Sequence, residues 1–220
     1  MFNELIFFLH SIIIGIFALG ALKIGKEALI AFIALQTILA NLFVLKESTL
    51  FGLNATCADA FAIGAVLGLN LLQEYFGKEI TKKTIGISFF LLIFYGIISQ
   101  IHLAYFPSLH DSIHANYAAI FHFMPRLVIA SMITYLIAQL FDAWLYGKLK
   151  ELFNGRYLIA RNICSISLSQ LLDTVLFSLL GLYGIVHNVW HIIIISYAIK
   201  LAAIAISMPF VAMSKKIVKK

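Results

Sequence analysis

Charge is scarce in this chain. Asp, Glu, Lys and Arg make up 12% of its 220 residues and 62% are hydrophobic, against ~25% charged residues in an ordinary soluble domain. A water-soluble core cannot absorb that much apolar surface. Cysteine is rarer still. Cys57 and Cys164 fall near opposite ends of their expected helices, which leaves no bridge between them and no thiolate metal site. No Gly-rich phosphate loop closing on Lys-Ser/Thr occurs, so the chain does not hydrolyse ATP by itself. No His-Glu-x-x-His run and no nucleophile with a neighbouring base occurs either, which argues against a membrane-embedded enzyme. Nothing resembles a linker to a second domain.

Seven apolar runs are present: Leu5 to Leu22, Ala28 to Leu45, Asn54 to Phe76, Thr84 to Phe106, Pro125 to Tyr146, Asn162 to Val186, and Trp190 to Met213. Each can span ~30 Å of hydrocarbon at ~1.5 Å per residue. Hydrocarbon offers the backbone no water partner, so only helices or a closed barrel cross it. Runs of about twenty residues, rather than alternating ten-residue strands, favour helices. The first run lacks a basic leader and carries Glu4, so it is expected to be a retained helix rather than a signal peptide. The expected fold is all-α: a polytopic membrane helix bundle forming a single transmembrane domain over residues 1–220.

The cations sit between the runs. Lys23 and Lys26; Lys78, Lys82 and Lys83; Lys148, Lys150, Arg156 and Arg161; and Lys215, Lys216, Lys219 and Lys220 fall on one side, and Lys46 alone on the other. This is a topology signal rather than a nucleic-acid footprint. It predicts a cytoplasmic C-terminus and an external N-terminus in an inner, or plasma, membrane. Tyr105, Phe106, Tyr183 and Trp190 are placed at the outer interface, and Tyr75, Trp144 and Tyr146 at the inner one. The stretch 107–124 carries His110, Asp111, His114 and His122. Those are competent metal ligands, but an interfacial loop is the simpler reading and no metal is expected. Pro125 suits the first turn of the fifth helix.

Ionisable groups at hydrocarbon depth cost ~3 kcal/mol or more and mark functional candidates. On the third run Asp59, Ile63, Val66, Asn70, Gln73 and Glu74 share one helical face. That face is expected to look inward, with Asn70, Gln73 and Glu74 converging on a ligand unless Glu74 simply reaches solvent near Lys78. The fifth run repeats the pattern with Ser131, Tyr135, Gln139, Asp142 and Tyr146, and Arg126 stands at its outer entrance. Arg126 is read either as a pocket-mouth residue or as a lipid-headgroup contact. The sixth run aligns Gln170, Asp173, Thr174 and Phe177. Asp173 and Lys200 of the seventh run both fall near the midplane, where an ion pair would neutralise them, as a structural register or as part of a ligand site.

The segments Asn70–Lys78 (NLLQEYFGK), Ala138–Asp142 (AQLFD), Ser169–Thr174 (SQLLDT) and Tyr197–Lys200 (YAIK) resemble, in that order, the polar motifs of the queuosine-precursor transporters, also called the vitamin-uptake-transporter-like family. The resemblance runs from Ala28 onward. It implies a six-helix core, akin to the substrate-binding subunits of energy-coupling-factor importers, that takes up queuine or related 7-deazaguanine bases for tRNA modification without a cofactor. The first apolar run is then one helix in addition to that core. The family often carries an acidic residue at the position of Asn70, so no carboxylate role transfers there. In such a site Glu74 or Asp173 would accept from N1 and the exocyclic amine of the base. Asn70, Gln139 or Gln170 would donate to O6, and an aromatic face would stack on the ring. The alternative is a capture subunit of an energy-coupling-factor vitamin importer, docking an energising partner through small-residue stripes such as Ala58 and Ala62, or Ala198 and Ala202.

Overall fold

The computed structural model describes residues 2–154 and 158–218; Arg156, Lys219 and Lys220 of the basic set lie outside the described residues. Among the described residues eight α-helices follow in order. They are α1 (Phe2–Ile24), α2 (Lys26–Phe43), α3 (Asp59–Phe76), α4 (Lys78–Leu103), the short α5 (His114–Phe121), α6 (Met124–Leu152), α7 (Leu158–Phe177) and α8 (Val189–Val218). Two three-residue strands, β1 (Ser48–Leu50) and β2 (Leu53–Ala55), pair antiparallel between α2 and α3. The chain is a helix bundle with one added hairpin.

Seven of these helices fall on the expected runs, with the short α5 in addition, but their ends differ. The third helix starts at Asp59 rather than Asn54 because the preceding residues pair as strands. The fourth starts at Lys78, and the fifth begins at Met124 with Pro125 in its first turn and runs on to Leu152. The sixth widens out of α geometry after Phe177 into a π turn over Ser178–Leu182. Two reversals depend on glycine. Gly25 (φ +144°) joins α1 to α2 and Gly77 (φ +87°) joins α3 to α4, and both conformations disfavour a side chain.

Among the described residues five helical stretches are long and apolar enough to cross a membrane: Phe2–Ile24, Lys26–Phe43, Lys78–Leu103, His114–Leu149 and Ile163–Leu182; Val189–Ala202 is apolar but shorter. Their outward faces are greasy. Phe17, Phe90, Phe94, Leu140 and Ile194 are each more than half exposed, as lipid-facing residues require. α3 carries too many polar residues for that set and instead lies against α1, α2, α4 and α8.

Close approach there depends on Gly64 and Gly68, spaced i, i+4 on α3. A methyl group at Gly64 would fall 2.5 Å from Ile14 Cγ2 and one at Gly68 2.6 Å from Ile33 Cγ1. This is the small-residue packing that membrane helices use in place of hydrophobic drive. α1 is no appendage. Its Phe7 and Ile14 pack with Leu50, Ala55, Ile63 and Ile199, and its Ala18 and Leu22 with Leu29, Ile33 and Leu71.

The hairpin turn is Phe51-Gly52, with φ +50° and +78°, the pair of left-handed residues that a two-residue type I′ turn demands. α1 holds it in place. Asn3 Nδ2 donates to the Thr49 carbonyl (3.0 Å) and the Phe51 N–H donates to Glu4 Oε1 (2.8 Å). Loops at this hairpin end are tied too, since the His187 N–H donates to Glu47 Oε1 (3.0 Å). Tyr105, Phe106, Tyr183 and Trp190 are exposed and belong to the same end. The opposite end carries the lysine clusters.

Candidate functional site

Inside the bundle two adjoining chambers share a border. The hairpin-side chamber holds about 200 Å³ and is walled by α2, α3, α4, α6, α7 and α8. Its polar lining includes Asn41, Thr56, Asp59, Ser131, Thr134 and Ser196, set among Leu92, Phe177, Leu182 and Ile192. The second chamber, about 250 Å³, lies toward the lysine-rich end among Ile33, Val66, Leu69, Ile85, Ser88 and Gln170. Thr37, Ala62, Phe89, Tyr135, Asp173 and Lys200 line both.

That border is a polar pair beside an aromatic pair. Lys200 Nζ donates to Asp173 Oδ2, with the two side chains 17% and 24% exposed. The Phe89 and Tyr135 rings meet edge to face at 5.0 Å. The α8 helix sends two polar groups one turn apart toward two different partners. Lys200 reaches Asp173 on α7, and Ser196 Oγ donates to Asp59 Oδ2 on α3 at 2.7 Å. Asp59 is buried, at 8% exposure.

Of the residues expected to bind a ligand, Asp173, Thr174 and Lys200 line the first chamber, and Gln170 joins Asp173 and Lys200 in the second. The Thr174 hydroxyl donates to the Gln170 carbonyl at 2.8 Å. The other six sit elsewhere. The polar stripe of α3 faces the chambers through Asp59, Ile63 and Val66, but its continuation, Asn70, Gln73 and Glu74, is exposed beyond them. About two more turns of helix carry the stripe past the chambers.

On α6, Ser131 and Tyr135 reach the chambers while Gln139 is exposed. The Asp142 carboxylate is committed to helix packing, since Oδ1 accepts from Ser165 Oγ and from Ser169 Oγ (3.1 Å) on α7. Arg126 is likewise committed. Its Nε donates to the Leu180 carbonyl and its Nη2 to the Tyr183 carbonyl, both at 2.7 Å. It stabilises the carbonyl end of the sixth helix, where unpaired acceptors attract a cation, and does not line either chamber. Of the two small-residue docking stripes, Ala58 and Ala62 line the first chamber, whereas Ala198 and Ala202 are exposed. Asp111 is taken up locally, accepting from the N–H groups of Ile113 and His114. This holds its carboxyl below the usual range.

Sequence reasoning placed Asp59 on the interior face but not in the site. The signal available was the one used for Asp173, a carboxylate within an apolar run. Thr37, Asn41, Thr134 and Ser196 left no such signal, because single hydroxyls and amides are ordinary in membrane helices. Ser131 Oγ donates to Asn41 Oδ1 at 2.8 Å, linking α6 to α2 beside the chamber.

A bundle with lipid-grade outer faces and, across its middle, a largely apolar hollow carrying a few polar groups is a multi-pass membrane protein of the carrier type. Residues 60–214 match the family described as "Putative vitamin uptake transporter", and the chain belongs to that family. It is also similar to the "Probable queuosine precursor transporter" of Bacillus subtilis (strain 168), 33% identical over 225 residues that cover 99% of this chain and 97% of the relative. The alignment includes α1, which the family match does not reach. No solved structure matches. The protein is accordingly a transporter by family.

Proposed function

We propose that this transporter imports a queuosine precursor, a 7-deazaguanine base, across the bacterial inner membrane for tRNA modification. The observation that carries the reading is the Asp173–Lys200 pair on the border of two chambers in a chain resembling the Bacillus subtilis protein along its whole length. Each chamber falls below the ~300 Å³ floor of drug-sized sites, which suits a single fused-ring base.

A planar base crossing the border meets complementary groups in turn. The Asp173 carboxylate accepts from N1 and the exocyclic amine in a bidentate pair. Gln170 donates to O6, and the Phe89 and Tyr135 rings offer stacking faces, worth ~1–3 kcal/mol per base in nucleic-acid systems. The excess of Lys and Arg at the opposite end from the hairpin supports an external N-terminus and a cytoplasmic C-terminus. The hairpin then faces outward.

The test is uptake of labelled queuine by cells lacking their own carrier. Wild type confers accumulation; Asp173→Asn and Gln170→Leu abolish or sharply reduce it at equal protein level. Unchanged uptake in both variants would remove the binding assignment. Reconstituted vesicles containing this chain alone then separate autonomous transport from dependence on an energising partner.

A further inference from the structure

We infer that a third cavity, between α1 and the hairpin, is the outer port of the transport path, and that the Thr56-Cys57 junction is the door between this port and the hairpin-side chamber. The inference rests on the transport reading above and deepens it, because it says where the substrate enters.

The cavity holds about 310 Å³, more than either chamber, so it has room for a ring system that the chambers accept. One wall is α1, through Ile6, Phe7 and His10; the other is the end of α2, the hairpin and the start of α3. Exposure falls from rim to floor. Asn3, Ile6 and Phe43 are exposed, Cys57 is half-buried and Thr56 is only 4% exposed. The hollow therefore opens outward at the end poor in lysine. Along its side the Phe61 ring stacks on Phe43 at 5.5 Å and meets His10 edge to face at 4.7 Å, an aromatic flank suited to a planar solute.

The chain itself forms the partition. Thr56 lines this cavity and the hairpin-side chamber alike, Cys57 lines only the cavity, and Ala58 and Asp59 line only the chamber. A second, independent observation is conformational. Thr56 and Cys57 fall between β2 and α3 and belong to neither, and Cys57 holds φ +55° without being a glycine. Such a conformation is uncommon for a residue with a side chain, and residues that adopt it gather at ligand clamps and switch segments. Rotation about a few dihedrals there moves the partition without unwinding the strand or the helix. Of the residues lining the cavity, Phe61 alone falls within the family match over 60–214. The port thus gives the first helix a task outside the six-helix core.

The native thiols provide the test. Cys57 stands at the door, whereas Cys164 lies in the first turns of α7 toward the lysine-rich end. In Cys164→Ser, Cys57 is the remaining cysteine. Cells carrying that variant are treated with a membrane-impermeant sulfonatoethyl thiosulfonate or with a methyl thiosulfonate, and uptake of labelled queuine is measured against labelling of the protein by mass. Burial pushes the Cys57 thiol above its usual range, so labelling is run in mildly alkaline buffer. The sulfonatoethyl adduct is expected to abolish uptake, reversibly on reduction, while the smaller methylthio adduct leaves most of it. Cys57→Ser/Cys164→Ser should be indifferent to both reagents. Adding Phe106→Cys to that pair, exposed at the same end and outside the cavity, should give a carrier that is labelled and still imports. Where Cys164→Ser is poorly produced, wild type serves, because the impermeant reagent does not reach the lysine-rich end. Failure to label Cys57 from outside, or uptake that continues after full labelling, overturns the inference and leaves the transport reading standing. Equal loss with both adducts, or with the Phe106→Cys adduct, overturns it as well. Untreated cells that import no queuine overturn both readings together.

Discussion

Lys200 of α8 is bonded to Asp173 of α7 on the border between two chambers, one helical turn from the Ser196–Asp59 contact. Removing one member leaves the other charge without its partner. A fully buried pair broken this way loses ~3–5 kcal/mol; partial exposure of these two lowers the expectation to about 2–4 kcal/mol. Asp173→Asn and Lys200→Gln should each reduce the melting temperature in detergent, and Asp173→Asn/Lys200→Met should recover much of the loss while uptake stays absent. A double variant as unstable as the sum of the singles would show that the pair is not coupled.

Asp142 separates stability from recognition. It ties α6 to α7 through Ser165 and Ser169 and lines neither chamber. Hydrogen bonds between membrane helices average ~0.6 kcal/mol and reach ~1.7. Asp142→Ala should lower thermal stability by about 1–3 kcal/mol for the two bonds while the apparent KM for the transported base stays within twofold or so of wild type. A large rise in KM at normal stability would place Asp142 in the substrate path.

For Arg126 the fork geometry matters. Two nitrogens of one guanidinium serve the carbonyls of Leu180 and Tyr183, an arrangement that a lysine point charge does not reproduce. The residue is exposed, so Arg126→Ala should cost about 1–2 kcal/mol, toward the low end for charged hydrogen bonds, and Arg126→Lys most of that. Hydrogen exchange at 178–184 is the local readout. If the exchange of that segment is unaltered, the arginine is not its clasp.

Gly68 is a steric test. An added methyl would lie 2.6 Å from Ile33 Cγ1, and Ile33 is 1% exposed with no room to retreat. Gly68→Ala should cost ~1–3 kcal/mol as overpacking, and Ile33→Ala on the same chain should restore part of it. Failure of the second substitution to help would mean that α2 and α3 do not meet here.

At the hairpin, Phe51 holds φ +50° with its ring 61% exposed. A left-handed residue with a bulky side chain carries ~1–2 kcal/mol of strain, and Asn followed by Gly is the favoured pair for this turn. Phe51→Asn should raise the melting temperature by an amount equivalent to about 1 kcal/mol. A fall instead would show that the ring contributes more by burial in lipid than the turn loses to strain.

Much of this molecule was determined by the sequence itself. Long apolar runs between lysine clusters specify a helical bundle in a membrane, because hydrocarbon leaves the backbone no other way to satisfy its hydrogen bonds. The Asp173–Lys200 pair was legible as well, since counting residues at a fixed rise gives both side chains the same depth. What depth and periodicity do not specify is the partner. Asn70, Gln73 and Glu74 share a stripe with Asp59, yet the chambers end before they are reached. Asp142 and Arg126 look as functional as Asp173 in one dimension, and only their packing against α7 and the turn beyond it decides that they hold helices together. The hairpin was likewise decided by the tertiary structure. A helix's own pattern says which residues share a face; what that face meets depends on other helices distant in sequence.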